Sequence, residues 1–241
     1  MRTPRIYVSG NYNSGEVIKL DAAPTHHLTR VLRRGPGDDI IVFNGVGQSF
    51  VAQISALQRG AADIEILAAD VDEPAPATPI CLALAVLKND TLDYVLQKAT
   101  ELGVSDVHLV ESARAEARHT DPIRRARRIE HWLGILVSAC EQSGRNWLPT
   151  LSPPRPFAEW LPTTSGQRWL LHPGGRSVRD VGAHPGALTL AIGPEGGWTE
   201  EERGAAERAG FAVVSLGPRI LRADTAPVVA LTLAQYLADG L

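Results

Sequence analysis

The chain has 241 residues with a net charge of −3, and 44% of it is hydrophobic against 21% charged. Wholesale disorder and a surface coated in positive potential are both excluded, so any nucleic-acid binding has to come from local patches. Only Cys81 and Cys140 are present, in apolar contexts without Cys-x-x-Cys or Cys/His ligand spacing, so both read as core thiols and no metal is expected.

The N-terminus lacks the apolar stretch of a signal peptide, and no apolar run approaches the ~20 residues of a membrane span. The cytoplasm is the expected compartment, with no membrane partner. Short β-rich runs at Ile40 to Phe43, Ser49 to Ile54 and Ala62 to Leu67 alternate with turn residues at Gly35 to Asp39 and Asn44 to Gly47, a pattern that predicts a small β-barrel. Three prolines among small and acidic residues between Asp70 and Pro79 mark an extended linker. The expected division is therefore a barrel over 1–72, a linker over 73–79 and a second domain over 80–241.

Beyond the linker, apolar strands alternate with amphipathic helices, which predicts an α/β domain built on a mostly parallel sheet. A buried strand is expected at Ile80 to Leu87. Asp90 is the expected cap of a helix whose apolar stripe is Leu92, Val95, Leu96, Ala99 and Leu102, and Gly103 ends it before a strand at Val107 to Val110. A longer helix, Pro122 to Ser143, carries Ile129, Trp132, Leu133, Leu136 and Cys140 at helical spacing. Strands are expected at Arg168 to His172, Ala187 to Ile192 and Phe211 to Leu216. Thr199 to Glu202 fits a capping box, and a last helix is expected to begin at Pro227.

In an open α/β sheet, ligands gather where strands end. Three such edges are rich in glycine: Leu171 to Gly175, Ile192 to Trp198 (Ile-Gly-Pro-Glu-Gly-Gly-Trp) and Leu216 to Thr225. Glycine lets backbone groups approach a flat ligand, and the adjoining prolines stiffen the loops. Neither a Walker loop nor a Gly-x-Gly-x-x-Gly fingerprint is present, which disfavours phosphate-based cofactors. A basic cluster, Arg114, Arg118, Arg124, Arg125, Arg127 and Arg128, faces only Glu116 and Asp121 in sequence.

These loops, with Arg2 to Tyr7, His27 to Arg33, Gly37-Asp38, Phe43 to Gly45, Gln97 to Gly103 and Ala139 to Arg145, resemble the RsmE-type ribosomal RNA uridine-N3 methyltransferases of the SPOUT class over nearly the whole chain. The resemblance implies a trefoil-knotted α/β domain binding S-adenosylmethionine (SAM), an N-terminal PUA-like RNA-binding barrel, and a homodimer. Its implied substrate is one uridine of 16S rRNA in the assembled 30S subunit. It places the cofactor against Leu171, His172, Gly193, Glu195, Gly196, Leu216, Gly217, Pro218, Ile220 and Leu221. Arg222 and Glu195 become the catalytic candidates. Arg5, Arg30, Arg33, Lys88, Arg114, Arg124, Arg128 and Arg219 become the RNA-contacting candidates.

Two departures stand out. Asp224 replaces the usual glutamate, and Glu111-Ser-Ala-Arg114 stands where Glu-Arg-Ser is usual. Methylating N3 requires an unpaired or flipped uridine, loss of the imide proton, and stabilisation of the charge left on the neighbouring carbonyls. Alternatives of other kinds are a ribose 2′-O-methyltransferase of the same fold and a non-catalytic RNA-binding or ribosome-assembly module.

Overall fold

The computed structural model describes residues 3–58, 60–115, 121–182 and 186–238. The chain forms two compact units, Met1–Ala75 with Cys140–Leu148, and Pro76–Ala139 with Pro149–Leu241.

The first unit contains β1 (Arg5–Tyr7), β2 (Val17–Leu20), α1 (Ala22–His26), a π-helical turn (His27–Val31), β3 (Asp39–Phe43), β4 (Ser49–Gln58) and β5 (Ala61–Ala69). They form one five-stranded sheet in the order β1-β3-β4-β5-β2, antiparallel except for β1 beside β3. The alternation read in the sequence is what closes its core: Ile40 and Val42, Ala52 and Ile54, and Ala62, Ile64 and Ile66 all point into one cluster with Ile6, Leu20 and Leu28. Strands β1 and β2 span only three and four residues, too short to show a period, and were not anticipated.

Residues 140–148, which the sequence reading places in the second domain, pack with the first. Their polar groups are answered there. Asn146 donates through Nδ2 to the carbonyls of Gly47 (3.3 Å) and Val71 (3.1 Å), and Trp147 donates through Nε1 to Glu73 O at 2.9 Å. Arg5 donates to Asn146 Oδ1, and Glu141 Oε1 accepts from the Tyr7 N–H at 3.2 Å. Burial raises the Glu141 carboxyl above its ordinary range, with His27 the main opposing influence.

The second unit contains β6 (Ile80–Ala85), α2 (Asn89–Glu101), β7 (Asp106–Glu111), α3 (Pro122–Ser143, whose last turn from Cys140 belongs to the first unit), β8 (Thr150–Pro156) and α4 (Phe157–Trp160). It continues through β9 (Gln167–Ser177), α5 (Val178–Val181), β10 (Leu188–Ile192), α6 (Glu200–Arg208), β11 (Ala212–Ser215) and α7 (Thr225–Leu237). The sheet is six-stranded and parallel throughout, in the order β11-β9-β10-β6-β7-β8. Along β6, Ala83 and Ala85 enter an aromatic cluster with Phe157, Trp160, Trp198 and Phe211. Leu82 and Leu84, on the opposite face by alternation, are equally buried, as a parallel sheet covered on both sides requires.

Several local expectations need correction. The N-cap of α2 is Lys88, and Asp90 lies in the first turn, where its charge opposes the positive end of the helix dipole. Helix α7 begins at Thr225, so Pro227 is its third residue; its missing N–H is harmless there, because the first-turn donors have no partner within the helix. Strand β8 was missed because Pro153, Pro154 and Pro156 interrupt it. It lies at the sheet edge, where absent N–H donors are tolerated. The capping box forms as read: Thr199 Oγ1 accepts from Glu202 N at 3.1 Å and Glu202 Oε2 from Thr199 N at 2.9 Å.

The glycine-rich strand end expected at Leu171 to Gly175 is instead an excursion within β9. Opposite it, β11 passes directly from Val213 beside Leu170 to Val214 beside Arg176, so residues 171–175 leave the ladder and rejoin it. Gly175 makes the return possible, since a β-carbon there would stand 2.6 Å from Val214 N.

Burial pushes the Cys81 thiol up to about 12 and Cys140 to about 11, so both stay protonated at neutral pH. Among the described residues no helix is long and apolar enough to cross a membrane, and no cluster of His, Cys, Asp or Glu is arranged to hold a metal ion.

Candidate active site

The C-terminal ends of β9, β10 and β11 open onto a cavity of about 570 Å³, within the size range of small-molecule sites. Three segments wall it: the β9 excursion, the loop after β10, and the loop from β11 into α7. Of the ten residues assigned to the cofactor by sequence, Leu171, His172, Gly193, Glu195, Gly196, Leu216, Gly217, Ile220 and Leu221 line this one space; Pro218 does not.

Each wall has a local cause. His172 is turned back on its own loop, Nδ1 accepting from Gly174 N at 3.1 Å. The β10 loop is anchored by Trp198, whose ring is buried against Phe157 with centroids 4.5 Å apart. A β-carbon on Gly193 would meet the Trp198 indole at 3.2 Å, so glycine lets the backbone pass close over the ring. In the third wall Gly217 takes φ +130°, and Ser215 Oγ braces the turn by accepting from Gly217 N at 3.3 Å.

Sequence reasoning missed Thr91 and Ser215 as lining residues, and placed Trp198 at the end of a ligand edge without assigning it a contact. Trp198 carried a readable signal, a large aromatic directly after a Gly-Gly pair in an otherwise polar loop, which is the composition of an anchor.

The charged candidates separate. Arg222 and Asp224 line the cavity and face each other, Nη2 to Oδ2 at 3.5 Å, with the Arg222 side chain 84% exposed. Arg219 also lines it. Arg114 donates through Nη1 to Gly196 O at 2.8 Å and to Trp198 O at 3.4 Å. Glu195 is exposed and makes no hydrogen bond among the described residues, so its carboxylate is not consumed in its own turn.

The other RNA candidates are not among the residues lining this space. Lys88 caps α2, Arg124 pairs with Asp121 at 3.4 Å, and Arg128 stacks over Trp132 at 4.9 Å. Burial lowers the Arg128 pKa, with Asp93 opposing. In the first unit Arg5 lies over Phe43 and donates to Asn146. Arg30 sits exposed on the π-helical turn, and Arg33 follows it at φ 54°, the one non-glycine in left-handed backbone among the described residues. That conformation disfavours an L side chain and recurs at functional sites. Arg118 and Glu116 of the basic cluster lie outside the described residues.

A parallel sheet with ligand-sized space at its strand ends, joined to a small β unit, matches known families directly. The family of RNA methyltransferase domains covers residues 73–235, and that of RNA methyltransferase PUA domains covers residues 20–67. The fold and cavity are those of an RNA methyltransferase.

Ribosomal RNA small subunit methyltransferase E of Synechocystis sp. is 35% identical over 92% of this chain and 74% of its own. The Bacillus subtilis protein of the same name is 26% identical over 92% and 93%. The Neisseria gonorrhoeae protein of that name, solved bound to SAM, superposes with a TM-score of 0.90 at 35% identity over 98% of both chains. A Legionella pneumophila methyltransferase solved with its cofactor SAM gives 0.93 at 33% identity over 98% of both. The chain belongs to the ribosomal RNA small subunit methyltransferase E family.

Proposed function

We propose that the chain binds SAM in the cavity of the second unit and methylates N3 of one uridine of 16S rRNA in the assembled 30S subunit. The observation that carries this reading is the convergence of three glycine-bearing walls on one ligand-sized space, with guanidinium groups at its edge. The walls fit the cofactor: Leu171, Leu216 and Leu221 supply apolar surface, and Gly193, Gly196 and Gly217 expose backbone groups to an adenosine or a methionyl chain. Bound there, SAM supplies an electrophilic methyl group; the N3–C bond forms as the S–C bond breaks, and the bonding pair stays on sulfur.

The chain's own residues do the rest. Glu195, at the cavity and without an internal partner among the described residues, accepts the imide proton. Arg222 leaves Asp224 to meet the charge that spreads onto the uracil carbonyls. Arg219 contacts the RNA beside the base. Arg5, Arg30 and Arg33 of the PUA-like unit, with Lys88, Arg124 and Arg128, hold phosphates, so that binding weakens steeply with salt. A homodimer and the trefoil knot belong to the same reading on the strength of the sequence resemblance; a cytoplasmic location goes with a ribosomal RNA substrate, and the boundaries at 72 and 80 rest on the proline-rich segment between Asp70 and Pro79.

Incubating the protein with SAM and 30S subunits that lack the modification, then reverse-transcribing the 16S rRNA, tests the reaction. A methyl on N3 blocks Watson–Crick pairing, so a strong stop at one uridine is expected. A weak, pairing-compatible pause indicates a ribose methyl instead. No stop, together with no SAM binding by calorimetry, leaves an RNA-binding module.

A further inference from the structure

We propose that Arg114 is a second, fixed guanidinium of the transfer site, which turns its remaining N–H donors to a carbonyl oxygen of the target uracil; this rests on the uridine-N3 reading. Arg114 lines the same cavity as Glu195 and Arg222. Its stem lies along Gly196, where an added β-carbon would come within 3.2 Å of Arg114 Cβ and 3.4 Å of its Cδ. Its head is tied by Nη1 to the carbonyls of Gly196 and Trp198. The strand-end loop that carries it is tied again next door, where Ala113 N–H donates to Glu202 Oε1 at 2.7 Å. That carboxylate is itself fixed by the capping box at Thr199.

The contrast with Arg222 decides the assignment. Both side chains are exposed, but Arg222 shares its charge with Asp224 at 3.5 Å, whereas the head of Arg114 is held by two backbone carbonyls. Both acceptors of Arg114 are neutral carbonyls, and Nε and Nη2 make no hydrogen bond among the described residues. Of the carboxylates beside this loop, Glu202 is committed to Ala113 and Thr199, and Glu195 is exposed on the facing loop. When the imide proton leaves, charge spreads to the oxygens flanking N3. A donor already fixed there acts without reorganising during the reaction, and that is where such groups have their largest effect.

Single-turnover methylation of unmodified 30S subunits by Arg114→Gln and Arg114→Lys tests this. For Arg114→Gln the transfer rate is expected to fall about 10²-fold, with SAM affinity by calorimetry unchanged. The rise of rate with pH, which follows ionisation of N3, should move to higher pH. Arg114→Lys, which keeps the stem and the cation, should recover part of the rate, as should millimolar guanidinium ion added to Arg114→Gln. Equal losses of rate and SAM affinity would make Arg114 a loop brace or cofactor ligand and overturn the proposal, as would an unchanged rate and pH profile. If the wild-type protein leaves no N3 methyl at all, it is the uridine-N3 reading that fails.

Discussion

Replacing Gly175 by alanine is expected to cost about 3 kcal/mol of stability and to remove SAM binding with it. The two effects share one cause. The new β-carbon would lie 2.6 Å from Val214 N and 2.7 Å from Val213 C, so it meets backbone on both sides of the point where β9 rejoins β11. No side chain can turn away to make room. The strands must part, and the excursion that carries Leu171 and His172 into the cavity moves with them. Denaturant unfolding and calorimetric titration with SAM measure the two losses. Gly134→Ala is the control: it lies within α3 with nothing within 4 Å of the added carbon, and should gain about 0.5–1 kcal/mol from helix propensity. A Gly175→Ala protein of wild-type stability would refute the close approach.

Arg222→Ala is expected to lower turnover about 10²-fold while leaving SAM affinity unchanged. The side chain is exposed and its only side-chain partner among the described residues is Asp224 at 3.5 Å, so its removal withdraws little from the folded protein. In the proposed reaction it withdraws the charge that would meet the uracil carbonyls. Steady-state kinetics on 30S subunits, paired with calorimetry, separate the two. Equal loss of rate and affinity would mean that Arg222 only holds the loop between Leu216 and Asp224.

Much of this architecture is legible in the sequence because it rests on local rules. Strands β3 to β5 announce themselves by alternation, α3 begins and ends as its pattern and Gly144 require, and the Thr199 capping box forms where its spacing places it. Helix α3 also carries its own cap, with Asp121 Oδ1 accepting from Ile123 N at 3.0 Å. The glycine loops could be read as ligand walls because three of them, two with Gly-Pro, stand at matching strand ends, where one alone would read as an ordinary tight turn.

What escaped depends on partners distant in sequence. Strand β8 exists because β7 pairs with it in spite of its prolines. The β9 excursion is defined by its neighbour β11, and nothing in Leu171 to Gly175 distinguishes a loop after a strand from a loop within one. Residues 140–148 join the first unit through hydrogen bonds to Gly47, Val71 and Glu73, contacts that no local pattern encodes. Arg114 looked like one member of a basic cluster. Its place beside Gly196 comes from the fold bringing the ends of β7 and β10 to the same cavity. The basic helix face, by contrast, is partly spent on the protein itself, since Arg124 and Arg128 have partners within the second unit.

The central claim is a methyl group on a base nitrogen of ribosomal RNA. Its most direct test uses SAM carrying an isotopically labelled methyl, incubation with unmodified 30S subunits, and digestion of the 16S rRNA to nucleosides for mass spectrometry. The account predicts labelled 3-methyluridine as the single product, one per subunit. Label on the ribose as 2′-O-methyluridine, or no label in uridine, would contradict it.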